Sequence, residues 1–173
     1  GMGYIEETGA AQFFRDARIA TIYEGTTGIQ AKDFLGRKIL RDQGATFVAL
    51  LDYLQKTTTV GDNGAFSKES KAIKEAFEAL NTVLHWTLNQ NNKLDQISAA
   101  FNFLMATGAT LGGYWLLETA ARMSSSDVSA PFGDAKTHSL TFYVAHVLPR
   151  VHGYAAAAMA GSDVLLSMSE AQF

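Results

Sequence analysis

The side chains that could carry chemistry are few, and spacing removes most of them. Cysteine is absent, which excludes thiolate nucleophiles, thiolate metal sites and disulfide frameworks. Histidine occurs at His85, His138, His146 and His152. A metal site inside a helical bundle draws on Glu-x-x-His pairs, and no glutamate here has a histidine three residues later. The histidines are also not spaced as a compact helical pair, so no metal ligand set is read. Ser98 and Ser139 lack a histidine and an acid at the spacing a hydrolase triad suggests. Gly1-Met2-Gly3 is too short for a phosphate cradle. Lys68, Lys71 and Lys74 alternate with Glu69, Glu75 and Glu78 on one flank, which reads as a solvated, ion-paired helix face. Glu24, taken by itself, is a carboxylate before a glycine and reads as a solvated loop or helix-end residue.

These residues belong to a chain of 173 residues that is 47% hydrophobic and 18% charged. That is one ordinary globular domain, or one and a small appendage, and too apolar for a disordered segment. The net charge of -3 gives no electrostatic case for nucleic acid or an anionic membrane. No uninterrupted apolar run approaches the roughly 18 residues a membrane span needs. Only Pro131 and Pro149 break the chain, and alternating strand patterns are almost absent, which favours helices. No signal peptide is read at the start. Dense, motif-like sequence directly follows Gly1-Met2-Gly3, so the chain is expected to begin inside a longer protein.

Two parts are expected, 1–42 and 43–173, joined near Gln43-Gly44. The second part carries helical stripes. Phe47, Leu50, Leu51 and Leu54 form the first. Ile73, Phe77, Leu80, Leu84 and Leu88 form the next, with Ser67 or Ser70 as N-cap and Asn89, Asn91 and Asn92 as the stop. The third runs through Ile97, Phe101, Leu104, Leu111 and Trp115. Gly108 and Gly112 lie four apart in it, and both are expected to admit a close neighbour. Ser124 to Gly133, with Pro131, reads as a loop. The last stripe is Leu140, Val144, Val147, Val151, Tyr154 and Ala158, kinked or ended locally at Pro149. Gly161-Ser162-Asp163 is a stop before a short terminal helix. The fold class is therefore all-α: an up-down bundle of four amphipathic helices behind an N-terminal helical segment. The expected core includes Phe47, Leu51, Phe77, Leu80, Leu84, Phe101, Leu104, Leu111, Trp115, Val144, Val147 and Val151. The wider aromatic set, including Phe103, Tyr114, Phe142 and Tyr143, reads as core rather than as the lining of a ligand tunnel.

The N-terminal part carries a longer ordered pattern: Gly3-Tyr4-Ile5-Glu6-Glu7, then Phe14-Arg15-Asp16-Ala17-Arg18-Ile19, then Ile22-Tyr23-Glu24-Gly25-Thr26, then Ile29-Gln30. It resembles the acyl-CoA dehydrogenases, near the end of the C-terminal helical domain of their catalytic core. Residues after 43 are similar to the additional C-terminal helical region of the longer bacterial members, on helix pattern and on the closing run Tyr143, Leu148-Pro149-Arg150, Ala160-Gly161 and Gln172-Phe173.

The resemblance implies a reaction. Family members remove two hydrogens from the α and β carbons of an acyl-CoA thioester, with FAD as hydride acceptor. Glu24 matches the family's catalytic base. The α proton is weakly acidic, so such a base works best in a dry site that raises its pKa. The thioester oxygen is polarised in part by the backbone N–H of the same glutamate. Gly25 gives the backbone room beside the substrate, and Thr26, Thr27 and Gly28 match residues that lie against the flavin. Two positions depart from the pattern. Gly28 stands where many relatives have Gln, which removes a flavin hydrogen bond, and Ala31 stands where many have Arg. The resemblance further implies electron transfer flavoprotein as acceptor, a homo-oligomer and a bacterial, cytoplasmic setting. The first helical domain and the β-domain of the family are absent, so the chain alone is expected to be inactive and free of FAD. The alternative is a helical interaction or oligomerisation module without chemistry.

Overall fold

The computed structural model describes residues 5–22, 26–58, 64–123 and 129–172. Among these, every regular element is helical: α1 (Ala10–Ile22), α2 (Thr27–Asp33), α3 (Ala45–Thr57), α4 (Ser67–Leu88), α5 (Lys93–Ser98), α6 (Ala100–Met123), α7 (Ala130–His146) and α8 (Arg150–Ala158), with short 3₁₀ turns at Glu6–Thr8, Leu40–Asp42 and Glu170–Gln172. The all-α expectation holds. The four expected helices resolve into six, because the third stripe divides into α5 and α6 and the last into α7 and α8. Pro149 ends the local helix as anticipated: Val147, Leu148 and Pro149 form a turn between α7 and α8. Pro131 is not a loop residue. It lies in the first turn of α7, where its missing N–H would have had no helical partner.

Helix α6 is the axle of the bundle and packs on α8, α7, α4 and α2, in decreasing extent. Its buried face is Phe103, Ala106, Thr107, Thr110, Gly113, Tyr114 and Leu117. This corrects the expected stripe. Phe101 is 46% exposed and Trp115 is 59% exposed, while Leu104 and Leu111 are only partly buried. The physical reason is that α6 is apolar on every side from Ala100 to Leu117, so the helical period alone selects no face. Small residues decide it. Ala106 on α6, and Ala155 and Ala158 on α8, are buried where these two helices pack, and Gly113 admits Leu148, Ile73 and Tyr143. Phe47, Leu51, Phe77, Leu80, Leu84 and Val151 are buried as expected, and Val144 and Val147 are partly so.

Gly108 and Gly112, the pair expected to admit a close neighbour, behave differently. A Cβ at Gly112 would run into the Tyr143 ring and hydroxyl from α7, whereas one at Gly108 would meet nothing within 4 Å. Only Gly112 serves a close approach. The Tyr143 hydroxyl donates to the Ala109 carbonyl at 2.9 Å and so pins α7 across α6. Burial pushes the Tyr143 phenol above its ordinary value.

Residues 27–42 join the same core as α3–α8. Helix α2 runs into a π-helical stretch, Phe34–Ile39, then the 3₁₀ turn. Ala31, Leu35 and Ile39 recur every four residues and are all buried. Phe34, Phe47 and Phe103 meet edge to face at 5.5–5.8 Å between ring centres, tying the π stretch to α3 and α6.

Polar caps close the ends. The Asp42 carboxylate accepts from the Gly44 N–H at 3.2 Å, the Thr46 N–H at 2.9 Å and the Thr46 hydroxyl. Asn92 accepts the Leu94 N–H at 3.0 Å and caps α5. Ser67 does not cap α4. It is the first helical residue after Phe66, and no side chain caps that end. Ser70 is buried and donates instead to the Thr58 carbonyl at 3.3 Å.

Candidate active-site segment

The candidate site lies where α1 gives way to α2. Helix α1 ends at Ile22, and α2 begins at Thr27. Glu24 and Gly25, the expected base and its glycine, lie outside the described residues, as does Tyr23. Thr26 is half-buried with helical backbone angles, and its carbonyl accepts the Gln30 N–H at 2.9 Å. Its hydroxyl makes no cap bond to α2. Thr27 and Gly28 are exposed, and a Cβ at Gly28 would meet nothing within 4 Å. The fold therefore makes no steric demand for glycine at Gly28. Ala31 is different: it is 1% exposed in the α2–α6 contact, and an arginine there would have to leave the core. The departure at Ala31 is thus a packing residue. Its signal was the Ala31, Leu35, Ile39 spacing, which marks one buried helix face in the shared core.

Around this segment the surface is apolar and open. Phe13 is 78% exposed, Phe14 70%, Ile22 61% and Ile29 67%. Polar groups of α1 satisfy one another locally. Gln12 donates to Asp16 at 2.9 Å, Arg18 donates to the Thr21 hydroxyl at 2.7 Å, and Arg15 lies 3.7 Å from Glu6. The Arg15-Asp16-Ala17-Arg18 run is therefore paired within its own helix, leaving the phenylalanines and isoleucines outward. Grooves of the described residues open beside Leu35 and Gly36, between α6 and α8, and beside Val144 and His152.

No other candidate is brought to this segment. His85, His138, His146 and His152 are exposed on α4, α7 and α8. Among the described residues, no group of three His, Asp or Glu is placed to hold a metal ion. No helix of the described residues is long and apolar enough to cross a membrane.

The described residues form an all-α unit in which the sequence Glu24-Gly25-Thr26 stands between two helices. Residues 45–169 match the family model described as acetyl-CoA dehydrogenase C-terminal like, and residues 1–40 match that of the acyl-CoA dehydrogenase C-terminal domain. The chain belongs to the acyl-CoA dehydrogenase family. It is 40% identical over 142 residues to the 3-methylmercaptopropionyl-CoA dehydrogenase of Ruegeria pomeroyi, covering 79% of this chain and 24% of that protein. It is 30% identical over 164 residues to a butyryl-CoA dehydrogenase of Syntrophomonas wolfei, covering 88% and 27%. It is 29% identical over 165 residues to a broad-specificity linear acyl-CoA dehydrogenase of Mycobacterium tuberculosis, covering 86% and 27%. The chain spans about a quarter of the length of the curated relatives it matches.

Proposed function

We propose that this chain serves as the C-terminal portion of an FAD-dependent enzyme that dehydrogenates the α,β bond of an acyl-CoA thioester. In this reading residues 1–42 are the end of the catalytic helical domain and residues 43–173 are an additional bundle. The observation that carries it is the ordered run Arg15-Asp16-Ala17-Arg18-Ile19 … Ile22-Tyr23-Glu24-Gly25-Thr26 inside the segment matched by the acyl-CoA dehydrogenase C-terminal domain. The three relatives act, by their names, on different acyl-CoA thioesters. The shared substrate class is the thioester, and chain preference belongs to walls this chain does not supply.

Glu24 takes the α proton as general base. Its backbone N–H donates to the thioester oxygen, so that negative charge developing there is stabilised as the proton leaves. Gly25 keeps a side chain away from that approach. Thr26, Thr27 and Gly28 form a flank against the flavin, and the exposure of Thr27 and Gly28 together with the open space at Gly28 supports that role. Bound FAD supplies the hydride acceptor for the β carbon. Electron transfer flavoprotein as the next acceptor, a homo-oligomer and a cytoplasmic setting belong to the same reading.

The test is Glu24→Gln in the full-length enzyme, read by anaerobic bleaching of the flavin with an acyl-CoA. Gln keeps the shape and the backbone N–H but accepts no proton at neutral pH. The expected loss is about 10²–10⁴-fold or more in bleaching rate, with flavin still bound. Bleaching at the wild-type rate would place the base elsewhere. The 173-residue chain alone is expected to show neither flavin absorbance nor turnover.

A further inference from the structure

Between α6, the end of α7 and α8 runs a groove of about 380 Å³. Pockets for small ligands run roughly 300–1,000 Å³, with an apolar lining and a few convergent polar groups. The apolar walls here include Leu104, Met105, Ala109 and Val147, and the floor opens at Gly108, where a Cβ would meet nothing within 4 Å. Two lining residues are polar at their tips, Arg150 and Tyr154. They stand four apart on α8, so they share one helix face. The Tyr143 hydroxyl in the same groove is spent on the Ala109 carbonyl. The Arg150 guanidinium and the Tyr154 hydroxyl have no ion-pair or hydrogen-bond partner among the described residues. The lining of the groove holds no Asp or Glu, and Arg150 is the one cation in it.

We infer that this groove binds a single-chain amphiphile with a carboxylate head, its chain along Leu104, Met105 and Val147 and its head on Arg150 and Tyr154. Two features argue for that occupant. An apolar trough that ends in an unpaired cation and a hydroxyl one turn apart matches a tail joined to an anion. A guanidinium and a phenol together are also donors suited to a carboxylate, and the lining itself offers them no carboxylate. The site lies on the bundle, away from Glu24 in the chain, and does not depend on the dehydrogenase reading.

The probe is decanoate, below its micelle threshold, titrated into the 173-residue chain and followed by the ¹³C-methyl resonances of its methionines. The expected result is a saturable shift of Met105, with Met168 unmoved. Decanol and decyltrimethylammonium should bind far more weakly, since neither offers the carboxylate. Arg150→Gln changes an exposed side chain and should leave the fold intact while weakening decanoate by about tenfold or more, as loss of a charge-assisted pair does. Gly108→Leu should fill the trough and block decanoate, with an unchanged melting temperature showing that the helix tolerates it. The inference is overturned if Met105 does not shift, if decanol binds as tightly as decanoate, or if Arg150→Gln leaves affinity unchanged. It is equally overturned if the chain dimerises across Met105 and decanoate does not compete.

Discussion

Gly44 carries two demands at once. Its φ is +79°, a left-handed conformation, and a Cβ placed on it would lie 3.0 Å from one Leu84 methyl and 3.2 Å from one of Leu88. Gly44→Ala is therefore expected to destabilise by at least about 1 kcal/mol, because the backbone strain and the crowding add. Urea denaturation compares the variants, and an unchanged midpoint would refute the argument. Two carboxylates give the pH dependence. Hydrogen bonds from Thr46 hold Asp42 below its ordinary 3.8, and hydrogen bonds from Ser162 do the same for Asp95, which accepts the Ser162 hydroxyl at 2.6 Å and its N–H at 2.8 Å. A carboxylate whose folded pKa is depressed contributes stability that is complete above its unfolded value and is lost as the pH falls through the folded one. Melting temperature should thus hold above about pH 5 and fall below about pH 4. In the double variant Asp42→Asn, Asp95→Asn the drop should be shallower, from a lower starting stability.

At the scale of elements, the three-ring cluster of Phe34, Phe47 and Phe103 is where α2 and its π continuation are fastened to the bundle. Phe103 is fully buried. Phe103→Ala should cost about 3–5 kcal/mol and speed amide exchange most in residues 34–39, which border the cavity. Tyr143 and Gly112 are coupled in turn. Gly112→Ala displaces the Tyr143 hydroxyl that bonds Ala109, so its cost should shrink in a Tyr143→Phe background, where that oxygen is gone. A double-mutant cycle that closes additively would contradict the packing. These elements also mark how far the sequence could be read. Helix α4 was legible because charged and apolar faces separate cleanly along Ser67–Leu88. Pro149 was legible because proline acts locally. The face of α6 was not, since large apolar side chains occur all around it and its neighbours decide which are buried. The candidate site was legible as an ordered residue pattern, while the role of Ala31 was not, because only the contact between α2 and α6 explains it.

For the whole molecule, α1 is only lightly secured by the rest. Its principal packing partner is the 3₁₀ turn just before it, and Ala11 is its one buried residue. Phe13, Phe14, Ile19 and Ile22 form a broad apolar surface around that helix, and exposed surfaces of this kind drive association. Under the proposed function, the remainder of the catalytic domain would cover it. In the 173-residue chain the nearest available cover is a second copy, and a shared patch on two copies closes as a two-fold dimer. Two measurements separate this from a structural role for α1. Sedimentation should show a concentration-dependent dimer for the chain and a monomer after deletion of residues 1–26. The melting temperature of the shortened chain, read at low concentration where the dimer has dissociated, should stay within a few degrees of the full chain, because the core that begins at Ala31 is untouched. Phe13→Ser with Phe14→Ser should reproduce the deletion without removing backbone. A monomer at every concentration, or a collapse of the bundle on deletion, would show that α1 is covered from within the chain.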